Sequence, residues 1–136
     1  MKSISAKRRQ ARAKRKISIR KRLNGTADRP RVAIFRSHKN IYAQVVNDDE
    51  GNTLFATHAG VAAAAELPEA PKAKKGKKGP EVMTGKCALA YNVGRAIADQ
   101  AKEKGITSMV FDRSGYLYHG RIAALARGLR DGGVKV

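Results

Sequence analysis

Three short apolar runs limit the fold of this chain more than any other feature. They are RVAIFR (31–36), IYAQVV (41–46) and TLFATHA (53–59). Each is too brief for a helix and rich in the β-branched and aromatic residues that suit strands. The connections SHKN (37–40) and NDDEGN (47–52) are of hairpin length, and Asp, Asn and Gly supply turn conformations in the second. An antiparallel meander is expected. Within the second run Ile41, Ala43 and Val45 share one face, while Tyr42, Gln44 and Val46 share the other. Tyr42 and Gln44 therefore sit side by side on one surface. The pattern alone leaves open whether Tyr42 belongs to the core and Gln44 to a solvated edge.

The period then changes from two to that of a helix. Over 84–104, Ala90, Val93, Ile97 and Ala101 fall on one stripe with Gly94 beside it, Thr84 is an N-cap candidate, and Gly105 follows Lys102 and Lys104 as a stop. ITSMVF (106–111) reads as a fourth strand. With a helix separating it from the third, it should run parallel to one of the first three. A last helix, Arg121 to Arg130, should bury Ile122, Leu125, Ala126 and Leu129 and turn Arg121, Arg127 and Arg130 outward, with Gly132 and Gly133 ending it. The predicted class is α/β: a small mixed sheet in the order β-β-β-α-β-α with two helices, a basic N-terminal arm (1–30), and a basic low-complexity insertion (60–85) carrying Lys72 to Lys78 within the domain 31–136.

Charge restricts the partner. Lysine and arginine number 29 against 11 acidic residues, a net charge of +18. Such a balance points to a polyanion, nucleic acid first and an anionic membrane surface second. No apolar run approaches the roughly 18 residues of a membrane span. The arm has no acidic residue before Asp28. Its like charges repel at helical spacing, so it should not hold a stable helix in free solution, although Ser5–Leu23 could become helical on a polyanion. Arg8, Arg9, Arg12, Lys14, Arg15, Lys16, Arg20 and Arg22 are the expected nucleic-acid contacts there, arginine being suited to bidentate phosphate grip. An organelle transit peptide is the lesser reading, because the basic spacing is tight and the apolar face weak. Cys87 stands alone, which excludes a disulfide framework and suits a reducing compartment.

Catalytic chemistry finds little support. FDRSGYLYHGR (111–121) gathers rings and guanidinium groups able to stack on bases and grip phosphates, and nothing in it resembles a reacting centre. GPEVMTGKC fails as a phosphate-binding loop: five residues separate Gly79 from Gly85, and Cys87 stands where Ser or Thr is required. His38, His58 and His119 lack metal-ligand spacing, so no metal and no cofactor are expected. Asp48, Asp49 and Glu50 read as a solvated turn. Asp112, at a strand end, is expected to pair with an arginine or cap the following loop. No catalytic residue and no small-molecule substrate are assigned. A nonspecific RNA chaperone and a magnesium-dependent nuclease using Asp112 remain as alternatives.

RSHKNIYAQV (36–45), TGKCALAYNVGRAIADQAKEKGI (84–106) and FDRSGYLYHGRIAALARGLRDGG (111–133), with the basic arm, resemble the family of bacterial ribosomal protein eighteen of the large subunit. The resemblance implies a cytoplasmic, ribosome-bound, non-enzymatic protein. It also implies 5S rRNA as chief ligand, contact with 23S rRNA in the central protuberance, and neighbouring 5S-binding ribosomal proteins. Position by position it implies Arg36, Ser37, His38, Lys39, Tyr42 and Gln44 from the first motif as RNA-facing. From the last it implies Arg113, Ser114, Tyr116, Tyr118, His119 and Arg121. The KAKKGKKGP stretch is longer and more basic than the family pattern, which leaves its path open.

Overall fold

The computed structural model describes residue 1, residues 3–64 and residues 85–136. The elements follow in the order α1 (Ile4–Arg20), β1 (Arg31–Arg36), β2 (Ile41–Asn47), β3 (Asn52–His58), α2 (Ala59–Ala64), α3 (Lys86–Glu103), β4 (Val110–Asp112) and α4 (Arg121–Asp131). The four strands form one sheet in the order β3-β2-β1-β4. β1–β2 and β2–β3 are antiparallel, and β4 lies parallel to β1. The expected α/β class and the parallel fourth strand are both observed.

Alternation in the strands and the stripe on the central helix meet in one core. Val32 and Ile34 of β1 and Ile41, Ala43 and Val45 of β2 face Ala90, Val93, Ile97 and Ala101 of α3, and Ile122, Leu125 and Leu129 of α4 complete the cluster. α3 and α4 approach closely because glycine stands at both contact points. A Cβ at Gly94 would overlap the Leu125 carbonyl, and one at Gly128 the Tyr91 carbonyl. Both helices cover the same side of the sheet. The opposite side keeps Phe35, Tyr42 and Gln44 exposed.

Two details differ from the sequence reading. β4 is shorter than ITSMVF and shifted toward Asp112, because residues 107–109 bond to the C-terminal segment instead: the Met109 N–H donates to the Lys135 carbonyl at 2.9 Å and the Lys135 N–H to that of Thr107 at 3.0 Å. Residues 59–64 form α2, so the start of the insertion is helical. The lysine cluster 72–78 and the Thr84 cap lie outside the described residues.

The arm is the 17-residue helix α1, close to the Ser5–Leu23 stretch expected to become helical on a polyanion. Ser3 caps it by accepting from the Ala6 N–H at 3.2 Å. No residue of α1 is buried, so packing of an apolar face does not hold it. Polar anchoring to the domain does. The Arg12 guanidinium lies 3.8 Å from the centre of the Tyr116 ring, and its Nε–H donates to the Ser114 carbonyl at 3.3 Å. Arg15 donates to the Gly115 carbonyl at 3.0 Å. Gly115, with φ +78°, permits the approach, since a Cβ there would fall 2.6 Å from the Arg12 carbonyl oxygen.

Candidate nucleic-acid interface

The arm, the β1–β2 corner and the loop after β4 are far apart in sequence and converge around Tyr116. This loop is over-determined. The Ser114 N–H donates to Asp112 Oδ1 at 2.8 Å, and Ser114 Oγ accepts from the Ile34 N–H at 3.3 Å. These bonds hold Ser114 at φ +52°, a left-handed conformation that a non-glycine residue adopts at some cost. Arg113 bridges the loop by donating to the Tyr116 carbonyl at 2.6 Å. The Tyr116 hydroxyl accepts from the Arg36 N–H at 3.1 Å, and the Arg36 guanidinium lies 4.9 Å from the ring centre, so two arginines flank one phenol. Arg121 ties the two motifs together by donating to the Ser37 carbonyl at 2.9 Å. Burial, and then the neighbouring Arg36 charge, lower the pKa of Arg121.

The candidate residues separate into an outward set and an inward set. Arg8, Arg9, Lys14, Arg15, Lys16, Arg22, Arg36, His38, Lys39, Tyr42, Gln44, Tyr118 and His119 are exposed. Arg12, Arg20, Ser37, Arg113 and Arg121 are half-buried, each with a hydrogen bond into the fold. Ser114 and Tyr116 are buried, and in this arrangement they shape the loop and seat Arg12 and Arg36. Tyr118 stands edge-on to Phe111 with ring centres 6.1 Å apart, and its hydroxyl accepts from Arg130 at 2.9 Å. A cationic pocket of about 330 Å³ opens beside the loop, lined by Arg8, Arg12, Arg15, Arg36, Tyr116 and His119 among others. A second groove of about 370 Å³ runs between α1 and the open side of the sheet, past Arg12, Lys16, Arg20, Phe35, Tyr42 and Gln44.

Asp112 and Asp48 are engaged in structure. Asp112 is fully buried and pairs with Arg31 at 2.9 Å while capping the loop, so it performs both expected tasks. Asp48 departs from the solvated turn. It accepts a bidentate pair from Arg31 at 2.9 and 3.0 Å, two longer bonds from Arg20, and the Gly25 N–H at 2.7 Å. The Arg31 bonds, chief among these causes, hold the Asp48 carboxyl far below its ordinary pKa, and they raise that of Arg31. Among the described residues, no group of three or more His, Cys, Asp or Glu side chains is placed to hold a metal. Phe35 and His58 also line the open face and are not among the residues that sequence motifs single out; cross-strand register is the signal that reveals them.

A family profile for "Ribosomal L18 of archaea, bacteria, mitoch. and chloroplast" matches residues 6–136. The chain belongs to this ribosomal L18 family. Curated relatives named "Large ribosomal subunit protein uL18" extend along nearly the whole chain. The one from Heliobacterium modesticaldum is 48% identical over 127 residues, covering 92% of each chain. That from Desulfatibacillum aliphaticivorans is 45% identical over 122 residues, 90% of this chain and 89% of the relative. That from Picosynechococcus is 44% identical over 131 residues, 96% and 98% respectively. As an L18 protein this chain is a structural constituent of the large ribosomal subunit and not an enzyme. Among the described residues, no helix is long and apolar enough to cross a membrane.

Proposed function

We propose that this L18 protein binds 5S rRNA and helps attach it to 23S rRNA in the central protuberance of the cytoplasmic ribosome, beside other 5S-binding ribosomal proteins. The observation that carries the reading is the convergence of three basic segments: the arm through Arg12 and the first motif through Arg36 meet on Tyr116 of the last motif, and the Arg121–Ser37 bond ties the last motif to the first. Residues 1–30 act as the rRNA-binding arm and residues 31–136 as the 5S-binding body. The division of labour follows from RNA geometry. The A-form major groove is too deep and narrow for side chains, so the body reads shape, 2′-hydroxyls and splayed bases. The arm cations neutralise phosphates and position the body without reading sequence.

Attachment is tested with large-subunit particles reconstituted without this chain. Labelled 5S rRNA should co-sediment with the 23S-containing particle when the chain is added and run free when it is omitted. Equal co-sedimentation in both cases, or co-sedimentation of any unrelated RNA of the same length, refutes the reading.

A further inference from the structure

The open side of the sheet carries three rings in one cross-strand row. Phe35 pairs with Tyr42 across β1 and β2, and Tyr42 pairs with His58 across β2 and β3. The ring centres are 5.9 and 5.5 Å apart and both pairs are tilted by 42°, so no ring face is consumed by parallel stacking on its neighbour. Phe35 is 55% exposed and Tyr42 36%. We propose that this row is a stacking platform for unpaired nucleobases of the bound RNA, with the cations of α1 gripping the phosphates of the same strand. The inference rests on the rRNA-binding reading above and names the part of the RNA that this surface takes.

Four features select that ligand. The next row, Ala33–Gln44–Ala56, sets two methyl-sized side chains around one amide. This leaves room for a heterocycle wider than a phenyl ring and offers a donor and an acceptor to its edge. The groove over Phe35 and Tyr42 is walled by Arg12, Lys16 and Arg20, and among the described residues no carboxylate lines it. A contiguous apolar strip under a cationic wall suits a strand with flat apolar faces and a charged backbone. The third ring is held in place, since His58 Nδ1 accepts from the Gly60 N–H at 3.1 Å and a Cβ on Gly60 would crowd the ring at 2.9 Å. Finally, a paired A-form helix presents base edges and sugars to a protein surface, not base faces. A four-stranded sheet with exposed rings therefore takes bases that have left the duplex.

The test uses the full chain and two RNA probes: a single-stranded oligonucleotide with 2-aminopurine replacing one adenine, and a fully paired hairpin with 2-aminopurine in its stem. Stacking should quench the single-stranded probe on binding and leave the hairpin signal unchanged. Tyr42→Phe should bind as the parent does. Tyr42→Ala, Tyr42→Leu and Phe35→Ala should each weaken binding of the single strand by roughly 5- to 150-fold. The slope of log K against log salt should stay unchanged, because no charge is removed. The leucine variant keeps an apolar strand residue, and matching far-UV circular dichroism separates a stacking defect from a folding defect. Wild-type affinity in Tyr42→Leu, or equal quenching of both probes, overturns the proposal. The same variant measured on 5S rRNA distinguishes the source: weakened binding assigns the unpaired base to 5S rRNA, and unchanged 5S binding alongside weakened oligonucleotide binding assigns it to another rRNA segment. Failure of the parent chain to bind 5S rRNA at all counts against the rRNA reading, not against the platform.

Discussion

Replacing Asp48 with asparagine should destabilise the fold by about 2–4 kcal/mol at neutral pH. The carboxylate joins three separate parts of the chain: Arg20 at the end of α1, Gly25 in the linker, and Arg31 at the start of β1. Its side chain is 11% exposed and that of Arg31 is 12%, so water cannot replace the missing partner fully. Breaking a buried pair costs about 3–5 kcal/mol. The value here is lower because Asp112 still holds Arg31 at 2.9 Å and the asparagine oxygen can still accept from Gly25. Arg20, at 35% exposure, contributes little through its own pair. At about 4 °C per kcal/mol the thermal midpoint should fall by roughly 8–16 °C. The pH dependence supplies a sign. Arg31 holds the folded-state pKa of Asp48 far below the unfolded value of about 3.9. A carboxylate depressed on folding contributes stability above its unfolded pKa and loses it as pH falls toward the folded one. The gap between parent and variant should therefore be full at neutral pH, begin to close below about pH 5, and still be closing at about pH 2. Urea unfolding followed by circular dichroism at several pH values and fixed ionic strength measures it. A gap below about 0.5 kcal/mol at neutral pH, or one that does not narrow in acid, refutes the role assigned to this ion pair.

Other outcomes follow from the same geometry. Gly94→Ala drives a methyl group into the Leu125 carbonyl and should cost about 1–3 kcal/mol or more in chemical unfolding, since neither helix can move without disturbing the core. Arg12→Ala removes both the cation over Tyr116 and a hydrogen bond. Amide exchange in α1 should accelerate by roughly 5- to 30-fold (about 1–2 kcal/mol) while protection in α3 is retained. Tyr116→Phe leaves the Arg36 N–H without its partner and should cost about 1–3 kcal/mol, measured by thermal unfolding. Arg8→Gln with Arg9→Gln should leave the fold unchanged and reduce the salt slope of RNA binding by about 0.7–0.9 for each phosphate that these side chains neutralise.

Alternation and helical period make the body of this protein legible. Ile41, Ala43 and Val45 mark the inner face of β2, and Ala90, Val93, Ile97 and Ala101 the face of α3 that meets it. What escapes depends on pairs distant in the chain. Asp48 reads as a turn residue until folding brings Arg20 and Arg31 to it. Tyr116 reads as an RNA-facing ring, and only tertiary structure shows it buried between Arg12 and Arg36. In α1, local charge spacing carries no information about the loop carbonyls of Ser114 and Gly115 that anchor the helix. Phe35 and His58 look unremarkable as single residues, and strand register makes them neighbours of Tyr42. Local pattern thus encodes the core, while the candidate interface emerges from pairings across the sheet and between the arm and the loop.

The most direct test of the account is an equilibrium titration of labelled 5S rRNA with the full chain, with unrelated structured RNA of the same length as competitor, across monovalent salt from about 50 to 200 mM. Selective binding should persist at the upper end. Affinity should fall in total by roughly 10³- to 10⁵-fold over that range if six to ten phosphates are engaged, on the duplex DNA scale. Competitor RNA that displaces 5S rRNA mole for mole, or affinity indifferent to salt, would contradict the account.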